Sequence, residues 1–212
     1  LAKVLMGKFE EAAQLIEKSN QVAHKYNNGV LRMRNEFALG LSYFYQGMNE
    51  KALEHMGIAI NIAENNYNWR FIIETLSVTS HVHLAKGKSI ASFECIQNAY
   101  NLAKAYQYTG LHGVLINAEG KIHLAYGNHK QAIHLFEEAM KFSTNERYFL
   151  MSQSWKSFAQ ASLGNFDDPI HRMEQIRAEA DKKRWAELWM KSSAHLGISL
   201  YLAGNVKEAL DV

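Results

Sequence analysis

The stretch from Gly47 to Gly87 reads GMNEKALEHMGIAINIAENNYNWRFIIETLSVTSHVHLAKG and contains one whole copy of a sequence repeat. Glycines recur before and after it at spacings of 40, 40, 40, 37 and 40 residues. A nearly fixed period of this size is typical of repeat arrays, in which each copy buries its apolar side only against its neighbours. The glycines that mark the repeat are Gly7, Gly47, Gly87, Gly127, Gly164 and Gly204.

Each repeat predicts two helices. After Gly47, apolar residues follow at steps of three and four as far as Ala63, which is the stripe of an amphipathic helix. A second helix is predicted over 70–86, and Gly87 ends it as a C′ residue with positive φ would. The same pattern predicts helices over 9–25, 30–46, 49–65, 70–86, 89–107, 111–126, 129–143, 147–163, 169–183 and 186–203, with another starting near 206.

Proline is nearly absent, which favours an all-helical chain because proline interrupts helices. The single proline, Pro169, follows Asp168 in the fifth repeat. That pair predicts an N-cap followed by proline at the first helical position. We expect irregular geometry at this turn.

Composition excludes several classes of function. The 212 residues carry a net charge of +2 with acids and bases interleaved, so no basic stripe for nucleic acid is present. No apolar run approaches the roughly 18 residues of a membrane span. Cys95 is the only cysteine, which permits no internal disulfide and favours the cytoplasm. Because the chain starts inside a repeat, we expect a piece truncated at both ends.

No motif in the sequence supports an enzyme, a metal site or a cofactor. His81 and His83 are two apart and His129 and His134 are five apart, so neither pair has the i, i+4 spacing that places two ligands on one helix face. A glycosidase would need two converging carboxylates, and Glu74 alone lies on the expected binding surface. Every repeat glycine ends a helix instead of opening a phosphate loop. We therefore expect no catalytic residue, no metal and no cofactor.

Several correlated positions resemble the tetratricopeptide repeat (TPR). A small residue stands seven places before five of the turn glycines, and a bulky residue follows it three places later, except that Gln160 departs from the pattern. The period of 40 exceeds the 34 residues usual for the family, and the family's proline near the end of each repeat is missing. The small residues are Gly40, Ser80, Gly120, Ser157 and Gly197, and the bulky ones are Tyr43, His83, His123 and Leu200.

The resemblance implies an all-α fold: a right-handed α-α superhelix of antiparallel helix pairs, forming one domain over 1–212. It implies a non-catalytic scaffold that binds a protein or peptide. Long-helix arrays of this kind look like those of larger bacterial signalling and transcription-regulatory proteins. Two alternatives stay open: a receptor for a short signalling peptide or small ligand, and a structural or oligomerising solenoid. The partner would be a protein or peptide segment or another domain of the same chain, and a homodimer stays open.

The resemblance also selects residues for the concave groove, because the first helix of each pair lines that surface in the family. The N-terminal part of this set is aromatic, its middle is polar, and its C-terminal part is basic and aromatic. The expected partner-binding residues are Arg34, Phe37, Leu41, Phe44, Tyr45, Glu74, Ser77, His81, Asn117, Lys121, Met151, Ser154, Phe158, Lys191 and Tyr201.

Overall fold

The computed structural model describes residues 1–143 and 145–212, and in these ranges it contains helices and turns without a strand. This confirms the predicted all-α class. A 3₁₀ turn at Thr109–Leu111 precedes the seventh helix. The α-helices are α1 (Ala2–Leu5), α2 (Phe9–Lys25), α3 (Gly29–Tyr45), α4 (Asn49–Asn65), α5 (Trp69–Ala85), α6 (Ser89–Ala105), α7 (His112–Ala125), α8 (His129–Lys141), α9 (Glu146–Ala161), α10 (Asp167–Lys182), α11 (Ala186–Leu202) and α12 (Val206–Leu210).

The chain divides into two compact units, an N-terminal unit (Leu1–Thr109) and a C-terminal unit (Gly110–Val212). Consecutive helices pack in pairs within each unit, as α3 with α4, α5 with α6, and α7 with α8. The second helix of a pair also packs on the first helix of the next, as α4 on α5 and α8 on α9. We call α3, α5, α7, α9 and α11 the first helices.

The repeat glycines close the turn inside each pair. All six have positive φ, between 68° and 89°. At Gly47, the N–H of Met48 donates to the carbonyl of Tyr43 at 2.9 Å, which is the closing bond of a Schellman motif. The same bond recurs after Gly87, from Lys88 to His83. The predicted role of the glycines as C′ residues is therefore confirmed.

Small residues let the paired helices approach closely. A Cβ atom added at Gly40 would lie 3.1 Å from the carbonyl oxygen of Ala52 and from the end of the Met56 side chain. At Gly120 it would lie 2.7 Å from the ring of Phe136, a distance at which one of the two must move. Phe136 and Met56 are both fully buried, so there is little room for such a shift. The interior is thus built from small residues on one helix and large ones on its partner.

The turn at Pro169 differs from the prediction. Helix α10 begins at Asp167 with Phe166 as its N-cap, so Asp168 lies inside the first turn and is not the cap. Pro169 is accepted there because the first N–H groups of a helix have no intrahelical partner. Both aspartates then lie near the positive end of the helix dipole, which they stabilise.

No helix in the described ranges combines the length and apolarity required to cross a membrane.

Candidate functional site

The first helices of the N-terminal unit meet through aromatic rings. We call the side formed by α3 and α5 the N-terminal face. Phe37 of α3 contacts Phe71 of α5 edge to face, with ring centroids 5.5 Å apart. Phe37 also packs, with Phe44 and Tyr45, against a buried cluster that includes Leu41. The structure thus brings the predicted aromatic residues together, but it half-buries them in packing between helices.

The other predicted residues of this face are dispersed. Arg34 is exposed, and Ser77 is buried. The carboxylate of Glu74 accepts a hydrogen bond from Arg70 at 3.1 Å, one turn before it on α5. His81 is half-buried.

The first helices of the C-terminal unit meet through polar side chains. We call the side formed by α7, α9 and α11 the C-terminal face. The amide of Asn117 donates to the hydroxyl of Ser152 at 2.8 Å and so joins α7 to α9. The hydroxyl of Ser154 lies 2.9 Å from Nδ1 of His195 and joins α9 to α11. All four residues are buried, so two predicted groove residues, Asn117 and Ser154, lie between helices.

His195 is held between aromatic rings. Its imidazole is parallel to the ring of Phe158, with centroids 4.8 Å apart, and meets Trp155 at 4.2 Å. Burial, together with the nearby charges of Lys191 and Lys121, lowers the pKa of His195 to about 3. The ring is therefore neutral at physiological pH. Sequence reasoning missed His195, although its position four residues after Lys191 places both on one face of α11.

Lys121 is the most unusual predicted residue. It is half-buried, and its ammonium lies 5.2 Å from the centroid of the Trp155 ring, as in a cation–π contact. Among the residues that the structure describes, no carboxylate lies within 4.0 Å of this ammonium. Burial and the charge of Lys191 together lower the pKa of Lys121 to about 7, although Glu187 acts in the opposite direction. The side chain therefore changes charge close to neutral pH.

The carboxylate of Glu187 serves two cations of this face. Glu187 accepts from Lys191 at 2.7 Å and from Arg147 at 2.5 Å. Burial alone would raise the pKa of Glu187, but these two cations and Lys121 outweigh it and lower the pKa overall. Glu187 is therefore ionised and engaged on two sides, which leaves Lys121 without a counter-ion of its own.

Two further donors lie unused beside this cluster. The indole N–H of Trp155 and the Nε–H of Arg147 are buried, and neither has an acceptor within the described part of the chain. Buried donors without partners are costly and rare in native proteins.

The remaining predicted residues take separate positions. Met151 is buried and packs with Ile176 and Leu188. Tyr201 lies near the end of α11 with 64% of its surface exposed. Within the described ranges, no three His, Cys, Asp or Glu side chains are placed to hold a metal ion.

Comparisons with known proteins identify the fold. No family model and no curated protein matches the sequence. BtubC (BKLC) from P. vanneervenii is 14% identical with a TM-score of 0.61, over 98% of this chain and 87% of its own. A kinesin-light-chain-like protein of nearly identical TPR-like repeats, from Podosopora anserina, is 16% identical with a TM-score of 0.53, over 85% of this chain and 90% of its own. NprR in complex with its cognate peptide NprX is 13% identical with a TM-score of 0.53, over 97% of this chain and 70% of its own.

These similarities establish a TPR-like fold of paired helices, as the repeat pattern predicted. At such low identity they show the fold alone.

Proposed function

We propose that this chain is a non-catalytic, TPR-like scaffold that binds a protein or peptide segment on its C-terminal face. The observation that carries the proposal is the ammonium of Lys121, which has no carboxylate partner in the described ranges and feels the like charge of Lys191. Placing a positive charge in a partly desolvated site costs free energy unless an anion balances the charge. An acidic segment of a partner would supply that anion.

The surroundings of Lys121 suit a peptide in other respects. The rings of Trp155 and Phe158 provide the rigid aromatic surface that is enriched at binding hot spots. Peptide binding is also recorded for NprR, a protein of the same fold, which was solved with its cognate peptide.

We further propose that the scaffold is the interaction or regulatory module of a larger bacterial signalling or transcription-regulatory protein. In that arrangement the acidic segment is either a short signalling peptide or a stretch of another domain. The first possibility agrees with the small extent of the cluster, since one acidic side chain suffices to pair with Lys121.

A display library of random peptides tests this proposal. The library is selected on the wild-type protein, and the affinities of the enriched peptides are then measured by fluorescence anisotropy. We expect enrichment of Asp and Glu, and a loss of about tenfold or more in affinity for Lys121→Met, since a hydrogen bond to a charged group contributes about 1.5–3 kcal/mol. Lys182→Met, an exposed lysine at the end of α10, is the matched control and should bind normally.

Selected peptides without acidic residues, or equal affinity for Lys121→Met and wild type, would contradict the proposal.

A further inference from the structure

Three turns of the N-terminal unit share an unusual composition. They follow the second helices α2, α4 and α6 and cover residues 26–28, 66–68 and 106–108. Every residue in them is tyrosine, asparagine or glutamine. The corresponding turn after α10 contains Lys183 and Arg184 instead, so the repeat itself does not require this composition. We call the surface formed by the three turns the tyrosine edge.

The three turns lie side by side. A Cβ atom added at Gly29, directly after the first turn, would lie 2.7 Å from Nδ2 of Asn66 in the second. The ring of Tyr67 meets that of Trp69 edge to face, with centroids 6.5 Å apart. Trp69 in turn stacks on Tyr106 of the third turn, with centroids 4.6 Å apart and planes inclined by 9°. The rings of the second and third turns therefore form one continuous aromatic surface.

Tyr67 contributes little to the fold that would explain its presence. Its φ is 52°, in the left-handed region that bulky residues rarely adopt. The equivalent residue of the first turn is Asn27, and asparagine tolerates this conformation better. The Tyr67 side chain also gains little from burial, since 79% of the residue is exposed. A strained and exposed aromatic residue points to a role outside folding.

Two further rings of the edge are open to a ligand. Trp69 covers one face of Tyr106, yet 43% of Tyr106 is exposed, so its opposite face is turned to solvent. Tyr26 is 68% exposed, with the ammonium of Lys25 5.3 Å from its centroid on one side. Each of the three turns thus presents a tyrosine ring.

The polar groups of the edge are carboxamides that are only partly used. The oxygens of Asn28 and Asn68 accept from the third following N–H and cap α3 and α5. Asn66 instead donates from Nδ2 to a backbone carbonyl of α4 at 2.7 Å. Within the described part of the chain, the amide nitrogens of Asn28 and Asn68 and the amide oxygen of Asn66 make no hydrogen bond. The edge therefore retains donors as well as acceptors.

We propose that the tyrosine edge binds a neutral oligosaccharide. A pyranose sugar has an apolar face of C–H groups, which packs on the partly negative face of an aromatic ring. Its hydroxyl groups both donate and accept hydrogen bonds, and carboxamides match them in both roles. No residue of the three turns carries a formal charge at neutral pH, so the composition favours a neutral sugar over an acidic one.

A proline-rich peptide is the alternative ligand, because such peptides also dock on aromatic surfaces. Proline lacks an N–H group, so its segments offer mainly carbonyl acceptors. The free oxygen of Asn66 would then find few donors, whereas a sugar hydroxyl can donate to it. The mixture of unused donors and acceptors therefore favours the sugar.

Saturation-transfer difference NMR on the intact protein tests the proposal with cellohexaose, maltohexaose and chitohexaose, three neutral oligosaccharides. We expect at least one to bind with a Kd on the order of 1 mM, since an open surface covers less of its ligand than a cleft does. Tyr67→Asn should weaken this binding about fivefold, because a stacking ring is lost. Tyr126→Asn removes an exposed tyrosine from a turn of the C-terminal unit and is the matched control, which should bind like wild type.

Thermal unfolding separates ligand binding from a structural role of Tyr67. Because asparagine tolerates positive φ, Tyr67→Asn should raise the melting temperature by about 2 °C or more. A tyrosine that supports the fold would lower it on replacement. A less stable Tyr67→Asn would therefore overturn the argument that this residue is retained for a ligand.

The proposal is also overturned if none of the three sugars binds wild type at up to about 10 mM, or if wild type and Tyr67→Asn bind equally well. Decaproline serves as the competing probe in the same measurement. Binding of decaproline, lost in Tyr67→Asn, without binding of any sugar would assign the edge to proline-rich peptides instead.

Discussion

In the N-terminal unit the first helices α3 and α5 meet through the rings of Phe37 and Phe71, whereas in the C-terminal unit α7, α9 and α11 meet through hydrogen bonds and charges. The difference arises at equivalent repeat positions. Ten residues before the turn glycine stands Phe37 in one unit and Asn117 in the other. Six residues before it stand Leu41 and Lys121. One backbone arrangement thus carries two kinds of surface.

Under the proposed function, the two faces divide stability from recognition. The rings of the N-terminal face are half-buried in contacts between helices and contribute to stability. The set of charged groups in the C-terminal unit is incomplete, because Glu187 is shared by Lys191 and Arg147 and Lys121 has no carboxylate within 4.0 Å among the described residues. A ligand that completes this set gains free energy that the free protein lacks.

The largest effect on stability is expected in the N-terminal unit. Phe37→Ala removes the contact with Phe71 and part of the packing on the buried cluster of Leu41. We expect it to lower the free energy of unfolding by about 3 kcal/mol, as for other Phe→Ala changes inside proteins. Urea denaturation followed by circular dichroism measures this. Arg34→Ala, an exposed position on the same helix, should change stability by less than about 0.5 kcal/mol.

A loss of under about 1 kcal/mol for Phe37→Ala would show that the N-terminal face is open, and the contrast between the faces would disappear.

The next effect is acid sensitivity of the C-terminal unit. The pKa of His195 is about 3 in the folded protein and about 6.5 when unfolded. The unfolded chain therefore binds the proton first, and stability that is present above pH 6.5 is lost as the pH falls toward 3. We expect wild type to lose about 2 kcal/mol more than His195→Gln between pH 6.5 and pH 5, at up to about 1.4 kcal/mol per pH unit.

Parallel stability curves for wild type and His195→Gln over this range would refute the burial of a neutral imidazole.

A smaller effect, in which the variant is more stable than wild type, is expected for Lys121→Met. Because the pKa of Lys121 is lowered from its usual value to about 7, the unfolded chain binds the proton more tightly between pH 7 and about 10.5. Wild type should gain stability as the pH rises through this window, and the variant should not. After allowance for partial exposure, we expect Lys121→Met to be about 1 kcal/mol more stable at pH 7. The advantage should vanish near pH 10, as measured by thermal unfolding.

A variant less stable than wild type at pH 7 would mean that Lys121 is already well paired.

The smallest effects concern helix caps, where the two units should behave alike. The side chains of Asn28 and Asn145 accept hydrogen bonds from the third following N–H at the starts of α3 and α9. Replacing either with alanine should cost about 0.5–1 kcal/mol. Asn128 occupies the N-cap of α8 without such a bond, so Asn128→Ala is the matched control and should cost less. Unequal costs at Asn28 and Asn145 would show that the units differ in more than the chemistry of their faces.

Much of the fold was predictable from the sequence. The predicted bounds of the ten helices from α2 to α11 agree with the structure within two residues, because a glycine must end each first helix and the apolar stripe marks the interior. The exception at Asp168 and Pro169 arose because proline is tolerated throughout the first turn.

The site was predictable only in part. The repeat pattern placed Lys121 and Asn117 on first helices, but whether such a position is open or buried depends on the neighbouring helix. Asn117 is buried between α7 and α9, and Ser152 of α9 accepts the hydrogen bond that offsets the cost of this burial. His195 contacts Ser154 across 41 residues of sequence, and no local pattern encodes that contact. Whether a carboxylate reaches Lys121 likewise depends on how the helices pack, and the sequence alone does not give that.

The most direct test of the contrast between the faces is a pH titration of the lysine side chains by NMR, using ¹³C-labelled lysine and Lys121→Met for assignment. The account predicts that Lys121 titrates near pH 7, while Lys183, which is bound by two carboxylates, titrates above the usual value. Addition of an acidic peptide from the selection should raise the midpoint of Lys121. A Lys121 midpoint near 10.5 in the free protein would contradict the account, because the C-terminal face would then contain no unbalanced charge for a partner to complete.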